Sequence, residues 1–335
     1  MPPKVIYVNL ALDSITLDAI NPIREQATET LKRFLSPCLI KNFAGKDVRI
    51  VVDFADIDPE LDIFRTARAA PKGESSYAIT FGGGLLARLY TLAQAIAADK
   101  SVLRGHMQAK SQCRDAQIAG RTEVLHQFCF HAMLIFIAWH EVAHVVLGHL
   151  DWLGAHLGVD SIDELSSPVN QHETFLHRRT MEADADRQAA LWSCATLDVA
   201  MTGNPLLQYS SLRDLFYDAG YIYSGLFCFL DSVDNKVSDE LRRHPKPHIR
   251  LAIVLSFFED YFRKHHRDAA QVLQRAVYEG GLRALRNLQY ENKEPFDFAA
   301  TASFIASNGD RIEKMGLRKF QHTMRSESPG SFSFV

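Results

Sequence analysis

Residues 140–144 read His-Glu-Val-Ala-His. On a helix, positions i and i+4 share one face, with Cβ atoms about 5–6 Å apart. Two imidazoles at that spacing reach a single zinc ion at about 2.0–2.1 Å. Glu141 follows the first histidine and points about 100° away around the axis. Its carboxylate is thereby kept off the metal and beside water at the metal's open position, where a general base belongs. A catalytic zinc needs a third protein ligand as well. Residues 182–186 read Glu-Ala-Asp-Ala-Asp, so Glu182 and Asp186 again stand at i and i+4. A helix laid against the first one presents Glu182 to the metal. Asp186 then accepts from the free ring N–H of a ligand histidine, which fixes the tautomer and raises the ring's basicity. The expected centre is Zn2+ on His140, His144 and Glu182, with Glu141 as catalytic base, chemistry suited to amide hydrolysis. The bland alternative is a pair of packed helix histidines and a solvated acidic helix start, which the helix dipole favours.

The stretch after the motif holds another histidine, His149. On a continuous helix it lies about 140° from the His144 direction. The other common spacing for a third ligand falls on position 150, which is Leu150. His149 is therefore expected to be a buried structural histidine or a helix C-terminal cap.

His-Glu-x-x-His followed by Glu-x-x-x-Asp resembles the gluzincin zinc metallopeptidases, above all the compact single-domain ones. Further on, His244-Pro245 with Arg250 six residues after the histidine resembles the segment that follows the acidic motif in the HtpX group of peptidases. The run His140–His149 with Met181–Asp186 resembles the phage-exclusion peptidases of the Lit type equally well. Together the three motifs span roughly residues 122–255, in the expected order. The resemblance implies a zinc-dependent endopeptidase acting on a protein or peptide substrate. It also implies a second catalytic residue, His244, donating to the oxyanion of a tetrahedral intermediate. Arg250 is expected to be a supporting ion-pair partner of an acid on the ligand helix. A Lit-type reading sets the activity in phage defence, an HtpX-type reading in protein quality control. A zinc-stabilised binding or regulatory module without catalysis is the alternative from another class. Glu141 argues against it, because metal binding does not need that residue and hydrolysis does. Hydrolysis of a non-peptide amide stays open.

Periodicity places these residues on helices. Residues 122–148 carry an almost unbroken apolar helical pattern, with Thr122 as N-cap and Gly148 as terminator. Residues 151–171 carry turn signals and read as a loop; helical spacing returns over 175–195, 211–233 and 249–262. The first third alternates. Val5–Val8, Val48–Phe54 and Tyr77–Phe81 read as strands, residues 20–35 as a helix, and Gly82–Gly84 as a turn into a helix over 85–98. Tyr77–Phe81 is expected to be an edge strand that holds substrate by main-chain hydrogen bonds. The expected fold is α+β: a mostly helical, zincin-like metallopeptidase domain with a small N-terminal sheet. It divides into residues 1–121 (an α/β part carrying that edge strand), 122–270 (catalytic helices), 271–324 (a C-terminal helical part) and 325–335 (a disordered tail).

The composition is ordinary for a globular protein, at 47% hydrophobic and 23% charged residues. A net charge of -3 gives no bulk attraction to nucleic acid, and no nucleic-acid module is visible. The five cysteines form no Cys-x-x-Cys pair, which fits a reducing, cytoplasmic setting better than a disulfide framework. The first residues lack the long apolar core expected of a signal peptide. The apolar runs 124–139 and 221–230 are shorter than the roughly 20 residues of a membrane span and read as buried helices.

Overall fold

The computed structural model describes residues 17–35, 40–41, 47–54, 67–73, 76–99, 101–105, 115–158, 162–163, 172–203, 209–234, 245, 247–288 and 298–315. The expected strand Val5–Val8, the tail 325–335 and His244 lie outside the described residues. The elements, numbered in chain order, are α1 (Leu17–Leu35), β1 (Ile40–Lys41), β2 (Asp47–Phe54), β3 (Ala67–Gly73), β4 (Ser76–Phe81), α2 (Gly83–Ala98), α3 (Asp115–Val146) and α4 (His149–Leu157). They continue with β5 (Ile162–Asp163), α5 (His172–Gly203), α6 (Leu212–Asp234), α7 (Pro247–His265), α8 (Ala270–Asn287) and α9 (Phe298–Lys314). The protein is a mostly helical α+β fold with a small sheet, as the sequence pattern predicts.

Helix α3 is the axis of the fold. Every residue from Ala132 to Leu150 is buried. A helix that is apolar all round must be covered on all sides. Helices α1, α2, α5 and α6 and strands β3 and β4 supply that cover. The segment Gly120–Val146 is long and apolar enough to cross a membrane, and 94% of its most apolar window is buried inside the fold. The helix begins at Asp115, so Thr122 lies within it and is not its N-cap. The helix runs through Gly120, since an isolated glycine costs a helix only about 1 kcal/mol. A Cβ at this glycine would meet nothing within 4 Å.

The sheet order is β1-β2-β4-β3-β5. β4 pairs in parallel with β2, Ile50 opposite Tyr77, and antiparallel with β3, Ala69 opposite Ile79. Tyr77–Phe81 is therefore an interior strand, and its expected role as a substrate-holding edge is corrected. The strand on its far side, Ala67–Gly73, has alanines, Pro71 and Lys72 where β-branched residues mark most strands. Among the described residues, β3 is bordered on its outer side only at Arg68 and Ala69, by β5. Pro71 sits beyond that pairing, as proline must when it occupies a strand. β3 packs against α3 and α4.

Helices α6 and α8 approach closely. A Cβ on Gly280 would stand 1.9 Å from the Tyr217 carbonyl oxygen, and one on Gly220 would stand 2.1 Å from that of Val277. Only glycine lets the two backbones touch here. Next to this contact the Asp218 carboxylate on α6 accepts from the backbone N–H groups of Arg104 (2.7 Å) and Gly105 (2.9 Å) and from the Tyr209 hydroxyl (2.7 Å).

Candidate metal centre

α3 and α5 are joined along their length by side chains that flank the motifs. Trp139 stacks at a tilt on Trp192, with ring centroids 5.3 Å apart, and its indole N–H donates to the Thr196 hydroxyl at 3.2 Å. One residue beyond Trp139, the two motif histidines turn their Nε2 atoms toward α5. His140 Nε2 lies 3.0 Å from Glu182 Oε2 and 3.1 Å from His144 Nε2, and His144 Nε2 lies 3.5 Å from Glu182 Oε1. Ligands at about 2.0–2.1 Å from a tetrahedral ion stand about 3.3–3.4 Å apart, so the two Nε2 atoms and the Glu182 carboxylate, which turns one oxygen to each ring, stand near the spacing of one face of that tetrahedron. His140, His144 and Glu182 form a buried group that could hold a metal ion, and no other such group is found among the described residues.

The electrostatics agree with a cation in that place. Burial alone would push His140 down, but the Asp186 and Glu182 carboxylates overcome it and hold the imidazole up at about 10. His144 is pushed down to about 4, chiefly by burial, with the nearby Glu182 charge only partly offsetting it. One ring thus carries a proton between two carboxylates while its neighbour is neutral. A bound dication meets the same demand for positive charge and needs both Nε2 lone pairs free.

The surrounding groups hold these side chains in place. Asp186 Oδ1 stands 2.9 Å from His140 Nδ1, on the side of the ring away from the other donors. Arg250 on α7 donates to both oxygens of the same carboxylate, from Nε at 2.8 Å and from Nη2 at 3.0 Å. Burial would raise Asp186, yet Arg250 above all, and then His140, keep it below the ordinary carboxylate value. Glu141 is buried on α3 beside His140. Arg178, one helical turn before Glu182, is buried near it, and its Nε has no hydrogen-bond partner among the described residues.

Three residues that periodicity did not bring to the site belong to it. Gly148 has φ 74°, the left-handed conformation that closes α3, and α4 starts at the next residue. The chain turns there, so the angular argument for His149 on a continuous helix does not apply. His149 Nδ1 comes to 2.9 Å from His144 Nδ1, and its Nε2 lies 3.6 Å from Asp184 Oδ2. Arg187 holds the other oxygen of Asp184 at 2.9 Å. The signal was present in the sequence as a third histidine after a glycine and as a third acid between Glu182 and Asp186. Residues 151–157, expected as loop, are the body of α4, and Tyr77 on β4 donates to Asp151 there at 2.9 Å. On α4, Trp152 stacks on His156 and meets His177 of α5 edge-on.

No family model, no curated protein and no solved structure matches the chain.

Proposed function

We propose that this protein is a zinc-dependent endopeptidase whose metal is held by His140, His144 and Glu182. The observation that carries the reading is the convergence of those three donors, with Asp186 behind one of them. Three protein ligands with a fourth position left over is the pattern of catalytic zinc, whereas structural zinc is closed by four. Among the described residues, the group has no fourth member. Zinc bound there supplies Lewis acidity toward a scissile carbonyl and lowers the pKa of water. Glu141, buried and carried by the same helix as both histidines, accepts the proton of the attacking water and returns it to the leaving amine. Asp186 and Arg250 fix the ring of His140. Among the described residues, β3, which packs against α3 and α4, is unpaired on its outer side beyond Arg68 and Ala69, and there it offers an edge for an extended peptide in place of β4.

The resemblance of the three motifs to gluzincins supports a protein substrate. The Lit-type likeness extends the proposal to a specific host protein cut during phage defence. His244 keeps its proposed oxyanion role from the HtpX-type segment alone. A second reading, a metal that only staples α3 to α5 in a binding module, is favoured by one observation: Glu141 and all three ligands are buried.

Cells expressing wild type and Glu141→Gln, searched proteome-wide for new N-termini, separate the two. General acid–base help is worth about 10²–10⁴-fold, so new termini should appear with wild type and fall at least that far in the variant, with zinc still bound. Equal cleavage by both would place the base elsewhere. A common partner captured by both and cut by neither would establish the binding module.

A further inference from the structure

His149 is neither a ligand nor the base in the mechanism above, yet it is fully buried against a ligand. We propose that His149 is a positioning residue, which fixes the ring and tautomer of His144 in a chain that runs His144–His149–Asp184–Arg187. The inference rests on the reading of His144 as a metal ligand through Nε2.

Two ring nitrogens 2.9 Å apart must be one N–H and one lone pair, since two of a kind repel. Ligation through Nε2 leaves the His144 proton on Nδ1. His149 Nδ1 must then accept it, which puts the His149 proton on Nε2. That N–H faces Asp184 Oδ2 at 3.6 Å, an ion-pair rather than a hydrogen-bond distance, where the carboxylate still favours the ring's positive edge. Arg187 at 2.9 Å keeps the Asp184 charge in place. The opposite polarity would put the His144 proton on Nε2, toward His140 Nε2 at 3.1 Å, and would block ligation. His149 therefore selects the one His144 tautomer that can bind metal. It does for His144 what Asp186 does directly for His140. All three acids of residues 182–186 are thereby assigned: Glu182 to the metal, Asp184 to His149, and Asp186 to His140.

Zinc affinity measured by chelator competition tests this without any assay of cleavage. Wild type, His149→Leu and His149→Asn are compared, with thermal unfolding of each metal-free protein alongside. The Asn carboxamide oxygen falls near the position of the His149 Nδ1 lone pair and keeps an acceptor for His144; Leu fills the space and keeps none. Loss of a supporting partner of this kind typically costs about 10–100-fold in metal affinity. His149→Leu should lose that much, and His149→Asn should stay within a few-fold of wild type. A purely packing role reverses the order, because Leu suits an apolar site and Asn does not. Zinc affinity unchanged in a folded His149→Leu overturns the inference. If that variant fails to fold, Asp184→Asn decides instead, with a several-fold loss expected and an unchanged affinity overturning the proposal. A wild type that binds no zinc removes the metal reading and this inference together, an outcome distinct from the others.

Discussion

Arg250 and Asp186 meet in a two-point contact, Nε to Oδ2 at 2.8 Å and Nη2 to Oδ1 at 3.0 Å, with neither side chain open to solvent. The aspartate's Oδ1 also faces His140 Nδ1 at 2.9 Å. An arginine from α7, an acid from α5 and an imidazole from α3 are thus tied in one line, and the helix that carries Arg250 becomes part of the candidate metal centre's support.

Breaking that contact should be felt in both stability and ligation. Arg250→Met leaves a buried carboxylate without its cation, which typically costs about 3–5 kcal/mol. Metal affinity should fall about 10–100-fold, as for other partners behind a ligand. Arg250→Lys keeps the charge but not the planar fork and should lie between. Denaturant unfolding and zinc competition measure the two effects. An Arg250→Met protein as stable and as tight for zinc as wild type would show that Asp186 needs no partner.

Asp218 should give the stability a pH dependence of its own. Burial raises it, three donors pull it back, and the balance leaves it up at about 7. Its unfolded value is the ordinary one for Asp, about 3.9. The folded state therefore binds the proton more tightly, so this group's contribution is full below about pH 4 and is lost as pH rises to about 7. Urea midpoints between pH 4.5 and 7.5 should carry this downward component in wild type. In Asp218→Asn, whose side chain does not titrate, the component should vanish, although the variant is less stable throughout. An identical pH slope in the two proteins would contradict the assignment.

The α6–α8 contact makes a paired prediction. Gly280→Ala gains at most about 1 kcal/mol of helix propensity. Its methyl group would lie 1.9 Å from a backbone oxygen, so the helices must separate. Overpacking of this kind typically costs about 1–3 kcal/mol, and here the obstacle is main chain that cannot rotate away. Gly120→Ala, where a Cβ meets nothing within 4 Å, should be neutral or stabilising by about 0.5–1 kcal/mol. Thermal unfolding should shift down in Gly280→Ala and stay level or rise in Gly120→Ala. A Gly280→Ala protein as stable as wild type would mean that the contact is loose.

The motif residues were legible because their information is local. His140 with His144 and Glu182 with Asp186 are each one helical turn apart, and the structure brings the two pairs face to face. The core helices were legible from their apolar runs. What stayed hidden depended on the chain's path between elements. His149 is buried, as expected, but the left-handed turn at Gly148, where the helix ends, also brings its ring to His144. Asp184 stands about 200° from Glu182 by helical period, so the spacing that pairs Glu182 with Asp186 leaves it out. β3 has the wrong composition for a strand. The interior position of Tyr77–Phe81 is set by the neighbours on either side of it, Ile50 and Ala69 among them, which no local pattern reveals.

A zinc-edge anomalous difference map from crystals of the zinc-loaded protein addresses the metal centre most directly. The account predicts one peak, about 2.0–2.1 Å from Nε2 of both His140 and His144 and about 2.0–2.2 Å from a Glu182 oxygen. Asp186 should remain on His140 Nδ1 and His149 on His144 Nδ1, neither touching the ion. A peak bound by His149 or Asp186 in place of Glu182, or no peak between α3 and α5 in zinc-loaded crystals, would contradict it.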